Sequence, residues 1–192
     1  MTQTPVRRRR LAPEARREEI LHIATRLLSE RGFNGVALQD VADAAGMAKS
    51  GVLHHFPTKD NLLVELLKYR DQGDPSPADL LAIPDLDRAT ARELLDQVVA
   101  RNFERPEIVR LFTVLATESL DPAHPAHQYF GERLANLRIA ITEVASLIHP
   151  NPESAALRII AFLDGLQLLW LRDETAPVLA LWADFADGLF AE

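Results

Sequence analysis

The sequence predicts an all-α protein, and three observations carry that prediction. Apolar residues recur at steps of three and four through most segments long enough to form an element, which is the period of one helical face. Gly, Pro and Asp cluster between those segments, where helices stop and restart. The stretch 37–56, ALQDVADAAGMAKSGVLHHF, has the pattern of two short helices meeting at a corner. Together these predict about nine helices, with a three-helix head over residues 1–58 and a helical body over 59–192.

The first helix is expected from Pro13, which a helix start tolerates, to Arg31, with Ile20, Ile23, Ala24, Leu27 and Leu28 inward and Gly32 as its stop. His22 has no partner at ligand spacing and reads as structural. Leu38, Val41, Ala42 and Ala45 then share a face, Gly46 breaks the pattern, and a short helix from about Lys49 sends Val52 and Phe56 to the same core. Ala42 must be small where the two helices cross, Gly46 can take the positive φ of a tight corner, and Met47 plugs it. Left facing outward are Lys49, Ser50, Gly51, Leu53, His54 and His55, a set of donors, small residues and imidazoles that suits a DNA major groove. Pro57 resets the chain for a fourth helix with Thr58 as N-cap, Asp60 in the first turn, and Leu62, Leu63, Leu66 and Leu67 as its apolar face. Residues 71–84, DQGDPSPADLLAIP, read as a loop.

Beyond Leu86 the pattern is helical throughout. Leu94, Leu95, Val98 and Val99 mark one helix ending before Pro106, and Ile108, Leu111, Phe112 and Leu115 mark the next. Phe130, Leu134, Leu137, Ile141, Val144 and Ile148 give the most regular stripe in the chain. Residues 155–171, AALRIIAFLDGLQLLWL, are apolar nearly all round, which predicts burial against more than one neighbour, and Gly165 there weakens the helix unless another backbone comes close. Asp164 and Gln167 within that helix are either satisfied locally or kept for a ligand. Val178, Leu181, Trp182, Phe185 and Leu189 mark the last stripe.

Composition removes several function classes. The 192 residues contain no cysteine, so disulfides and thiolate metal sites are excluded. No unbroken apolar run reaches the roughly eighteen residues of a membrane span, and the basic start MTQTPVRRRR lacks the apolar run of a secretory signal; a cytoplasmic protein without a membrane partner is expected. His124, His127, His149 and Glu118 offer no third ligand fixed by spacing, so no metal and no cofactor is expected. Phosphate loops and nucleophile elbows are missing, and the chain does not read as an enzyme. Net charge is −7, but residues 1–60 carry 10 Lys/Arg against 7 Asp/Glu, net +3, whereas residues 61–192 carry 11 against 21, net −10. A basic head can meet phosphate while an acidic body stays off the duplex.

Residues 16–63 resemble the N-terminal domain of TetR-family transcriptional regulators. The likeness rests on Arg31-Gly32-Phe33 at the end of the first helix, Asp40-Val41-Ala42, Ala45-Gly46, Lys49, His54-His55-Phe56 and Lys59. The segment RPEIVRLFTVLATESLDPAHPAHQYF also resembles some actinobacterial members. The resemblance implies a ligand-responsive repressor that binds a palindromic double-stranded operator as a homodimer and is released by a small, mainly apolar effector. It implies that His55 and Lys59 hold phosphates while Lys49 and Gln39 reach base edges, with Ser50, Gly51 and His54 on the same surface. The run Arg7, Arg8, Arg9 and Arg10 stands where a basic arm would lie beside DNA.

For the body, the helical faces are expected to wall an effector cavity with Leu66, Phe103, Phe112, Leu115, Phe130, Leu134, Leu137, Leu163 and Trp170, with Glu118 or Gln167 as polar anchors. The resemblance places the subunit contact on the last two helices, at Ile160, Gly165, Leu168, Leu171, Trp182 and Phe185. The chain departs from the family at Val36, Ala37, Ala48, Gly51 and Leu53, where hydroxyls usually touch phosphate. The rival readings are a same-fold regulator governed by protein partners, and a helical lipid-binding protein or enzyme.

Overall fold

The computed structural model describes residues 12–71 and 86–191, and among these the regular structure is helix alone. In chain order the helices are α1 (Pro13–Arg31), α2 (Leu38–Ala44), α3 (Lys49–His55), α4 (Lys59–Asp71), α5 (Arg88–Phe103), α6 (Pro106–Glu118), α7 (His127–Ser146), α8 (Pro152–Arg172) and α9 (Val178–Ala191). Pro opens α1, α6 and α8 at the position where its missing N–H costs nothing. Gly32 (φ 68°) stops α1, and Thr58 caps α4 by accepting from Asn61 N–H at 3.0 Å. The predicted loop lies outside the described residues except for Asp71, which closes α4.

Two apolar cores organise these helices. The first gathers Ile20, Leu21, Ala24, Leu27 and Leu28 of α1, Val41 and Ala42 of α2, Val52 and Phe56 around α3, and the four leucines of α4, and it continues into Leu111 and Leu115 of α6. The second joins Ala91, Leu95 and Val99 of α5 to Ile141, Val144 and Ala145 of α7, Ile159 and Leu166 of α8, and Trp182 and Leu189 of α9. α1 lies most extensively along α6, and α7 along α8. The first three helices are therefore fixed to the rest of the chain chiefly by packing of α1 on α6.

Two sequence expectations need correction. Leu134 is 48% exposed rather than inward. Helix α7 bridges the two cores, with Phe130 against the first and Leu137 and Ile141 in the second, and the turn of Leu134 falls between them. α8 is covered by the chain itself on one side only, as a helix short of partners within its own chain would be, while Leu157, Leu168 and Leu169 stand exposed beside Ala161, Asp164 and Gly165. Asp164 thus sits on an open face instead of in a buried helix. α8 has the length and composition of a membrane-spanning helix, but its inner side, including Ile159 and Leu166, belongs to the second core.

Candidate nucleic-acid interface and the body behind it

The reading surface is built by three short elements. α2 packs on α1 through Val41 and Ala42, Gly46 (φ 59°) turns the chain, and Met47 N–H closes the corner on Ala42 C=O at 2.9 Å. Val52 and Phe56 are both fully buried, which fixes the rotation of α3 about its axis. Lys49, Ser50, Leu53 and His54 consequently point out, with Gly51 and His55 half-covered. A Cβ on Gly51 would come 2.6 Å from Met47 Cε, so the small residue lets α3 sit close on the corner plug.

Lys49 and Lys59 line one open concavity of ≈ 460 Å³, together with Asn34, Gly35 and the start of α2. Lys59 holds its Nζ 4.0 Å from the centroid of the Phe33 ring. Burial there lowers its pKa below the usual lysine value, while Asp60, Glu118 and Asp40 act in the opposite direction. His55, 5.5 Å from the His54 ring, has its pKa lowered first by burial and then by the charges of His54, Arg16 and Arg17. Gln39 donates to Asp43 Oδ1 at 2.7 Å along α2, so reaching a base edge requires breaking that bond.

The two departures at helix starts are visible. Ala37 and Ala48 are the N-caps of α2 and α3, and neither provides a side-chain cap. At α2 the Asp40 carboxylate accepts from Ala37 N–H at 2.7 Å, one half of a capping box. Sequence reasoning missed Arg16 and Arg17, which stand near His55; Arg17 also lies 5.0 Å over the Phe56 ring and pairs with Glu65 at 2.6 Å. Their interleaving with Glu14, Glu18 and Glu19 hides them in a charge count. Arg7, Arg8, Arg9 and Arg10 lie outside the described residues.

In the body, the residues expected to wall one cavity fall into two groups. Phe103, Leu137, Leu163 and Trp170 pack on the second core, with Phe103 and Trp170 edge-to-face at 5.0 Å and half-buried Gln167 on the same helix. Leu66 and Leu115 are instead fully buried in the first core with Phe112 and Phe130 against them, because α6 closes the head from behind. Glu118 is also corrected: it accepts from Phe33 N–H at 2.7 Å, satisfying a donor left over past the end of α1. On the expected subunit face, Ile160 is buried within the chain and Trp182 lies in the second core, where its Nε1–H donates to Asp96 at 2.6 Å. Leu168 and Gly165 are open, Leu171 and Phe185 half-covered, and among the described residues nothing beyond the adjoining backbone of α8 lies within 4 Å of a Cβ built on Gly165.

A short helix with a locked inner side and an exposed row of donors, mounted on a tight glycine corner, defines a helix-turn-helix DNA-binding protein. The family described as bacterial regulatory proteins, tetR family, matches residues 20–66. The HTH-type transcriptional regulator PksA of Bacillus subtilis is 28% identical over 161 residues, covering 81% of this chain and 78% of that protein. The HTH-type transcriptional repressor KstR2 of Rhodococcus jostii is 42% identical over 53 residues, 28% of this chain and 26% of that one, so this likeness is confined to about a quarter of each. A putative transcriptional regulator from Saccharomonospora viridis, solved in complex with choline, shares the fold with TM-score 0.73 and 24% identity over 92% of this chain and 97% of its own. Residues 20–66 thus match the tetR family of bacterial regulatory proteins, and the relatives that this chain is similar to are named as transcriptional regulators.

Proposed function

We propose that this regulator is a cytoplasmic, homodimeric repressor that holds a palindromic operator and releases it when a small, mainly apolar effector enters the body. The observation that carries the reading is the outward row Lys49, Ser50 and His54 on a helix whose opposite side, Val52 and Phe56, is fully buried. Within a head ending near residue 58, Lys49 and Gln39 address base edges, and His55 and Lys59 hold phosphates, with Ser50, Gly51 and His54 on the contact surface. Arg7 to Arg10 supply an ionic arm.

The apolar side chains around Phe103, Leu137, Leu163 and Trp170, with Gln167 at hand, support an effector of predominantly apolar character. A relative of the same fold, bound to choline, supports a small-molecule ligand for this architecture. The open strip of α8 at Leu157, Ala161, Gly165 and Leu168, continued by Leu171 and Phe185, supports pairing with a second copy. Selection of duplexes from a random pool by the full-length protein tests the reading. Recovered sites should be two inverted half-sites centred about one helical turn apart, and recovery of unrelated sequences would reject it.

A further inference from the structure

The Glu118 carboxylate lies between two donors that belong to different parts of the molecule. One is Phe33 N–H, just past the end of α1 in the head, at 2.7 Å from Oε2. The other is His124, in the turn before α7 of the body, whose Nε2 is 3.9 Å from the same Oε2. The His124 side chain is 5% exposed, and its Nδ1 accepts from Ala126 N–H at 3.2 Å. That acceptor role assigns the ring proton to Nε2. Nε2 is fully buried and makes no hydrogen bond among the described residues. A buried donor without a partner carries a desolvation cost that a small movement would relieve.

The surroundings leave the carboxylate few other positions. A Cβ built on Gly32, which sits at φ 68°, would clash with Oε1, so the absence of a side chain there leaves the carboxylate its place. The Phe33 ring is held edge-on against His124 at 5.0 Å between centroids and is covered by Lys59 at 4.0 Å. Closing Nε2–H···Oε2 from 3.9 Å to hydrogen-bond length requires a shift of about 1 Å. When the carboxylate makes that shift away from Phe33, the bond to Phe33 N–H, now 2.7 Å, is carried beyond hydrogen-bond length.

We propose that Glu118 is a positioning residue for operator binding, a two-place acceptor that ties the head down through Phe33 N–H and lets it tilt when the carboxylate passes to His124 Nε2–H. The proposal rests on the reading that head position governs operator affinity. It assigns His124 to the tilted arrangement, since its bond is made only there.

Amide exchange of Phe33 in the full-length protein reads the first half of this directly. Glu118→Ala should speed exchange at Phe33 about 10- to 100-fold, as loss of a hydrogen bond to a charged acceptor implies, and Glu118→Gln, which keeps an acceptor for Phe33, should restore most of the protection. His124→Phe, which keeps the ring on Phe33, removes the second donor, and His124→Asn, which keeps an acceptor for Ala126 N–H, withdraws its shorter side chain's donor from the Nε2 position. Both should slow exchange at Phe33 about 3- to 10-fold, with protection of Ile20 to Leu28 unchanged.

On the duplex recovered by selection, Glu118→Ala and His124→Asn should move affinity in opposite directions, which a purely structural role would not produce. Faster exchange in the His124 variants, or affinity shifts of the same sign, would overturn the proposal. So would altered exchange with unaltered affinity. If the wild-type protein prefers no sequence, the operator reading fails, and the exchange measurements still decide whether Glu118 is shared.

Discussion

Ala48 shows how much a single side chain at a helix start can carry. It stands at φ −71°, ψ 149°, the backbone of an N-cap, with no side-chain oxygen to accept from the first turn of α3. Ala48→Ser should therefore stabilise the head by about 1 kcal/mol, and a thermal melt showing no gain would mean that solvent already satisfies those donors. Burial and cationic neighbours depress the pKa of His55 below 6.5, so its contribution to stability is present above pH 6.5 and is lost as pH falls through the lowered value. A DNA phosphate brought beside it favours the protonated ring. Operator affinity should accordingly tighten as pH is lowered through and below 6.5, and His55→Gln should flatten that part of the profile; an unchanged slope in the variant would separate His55 from the phosphate. At this scale the sequence was most legible where residue type and backbone are tied, as at Gly32 and Gly46, whose positive φ the corner and helix stop demand. It was least legible at Glu118, because its partner Phe33 lies 85 residues away and no local pattern announces that bond.

Elements were legible in extent but not in which neighbour covers each face. The four leucines of α4 are all buried as the stripe predicts, since one apolar face meets one core. α8 has apolar residues on every side, and the pattern alone does not say which side the chain itself covers. Its open strip includes Asp164, whose carboxyl is pushed above the usual range by desolvation. A partner seated on that strip would desolvate Asp164 further, so Asp164→Asn should tighten self-association while Gly165→Glu should abolish it. Sedimentation of both variants checks this, and an unchanged dimer with Gly165→Glu would remove α8 from the subunit contact. The divided effector wall has the same origin: Leu66 and Phe103 share apolar character, but α6 stands between the cores that receive them.

Across the whole molecule, charge is sorted so that a basic head precedes an acidic body. We propose that the hydroxyls absent at Val36, Ala37, Ala48, Gly51 and Leu53 leave the head short of neutral phosphate donors, and that the arginines at 7–10, outside the described residues, offset this with ionic contacts. With two arginines engaged per subunit and a slope near −0.9 per phosphate, deleting residues 1–11 should remove roughly 3 to 4 units from the log–log salt dependence of operator binding; an unchanged slope would leave the arm without a role. Base reading by α3, with phosphates held by the cations around it, is tested most directly by comparing Lys49→Ala and Lys59→Ala on the selected duplex and on a scrambled duplex of the same composition. Lys59→Ala should weaken both duplexes alike, whereas Lys49→Ala should also shrink the preference between them by about 1–3 kcal/mol. An equal loss of preference in the two variants would contradict the assignment of α3 as the element that reads the operator.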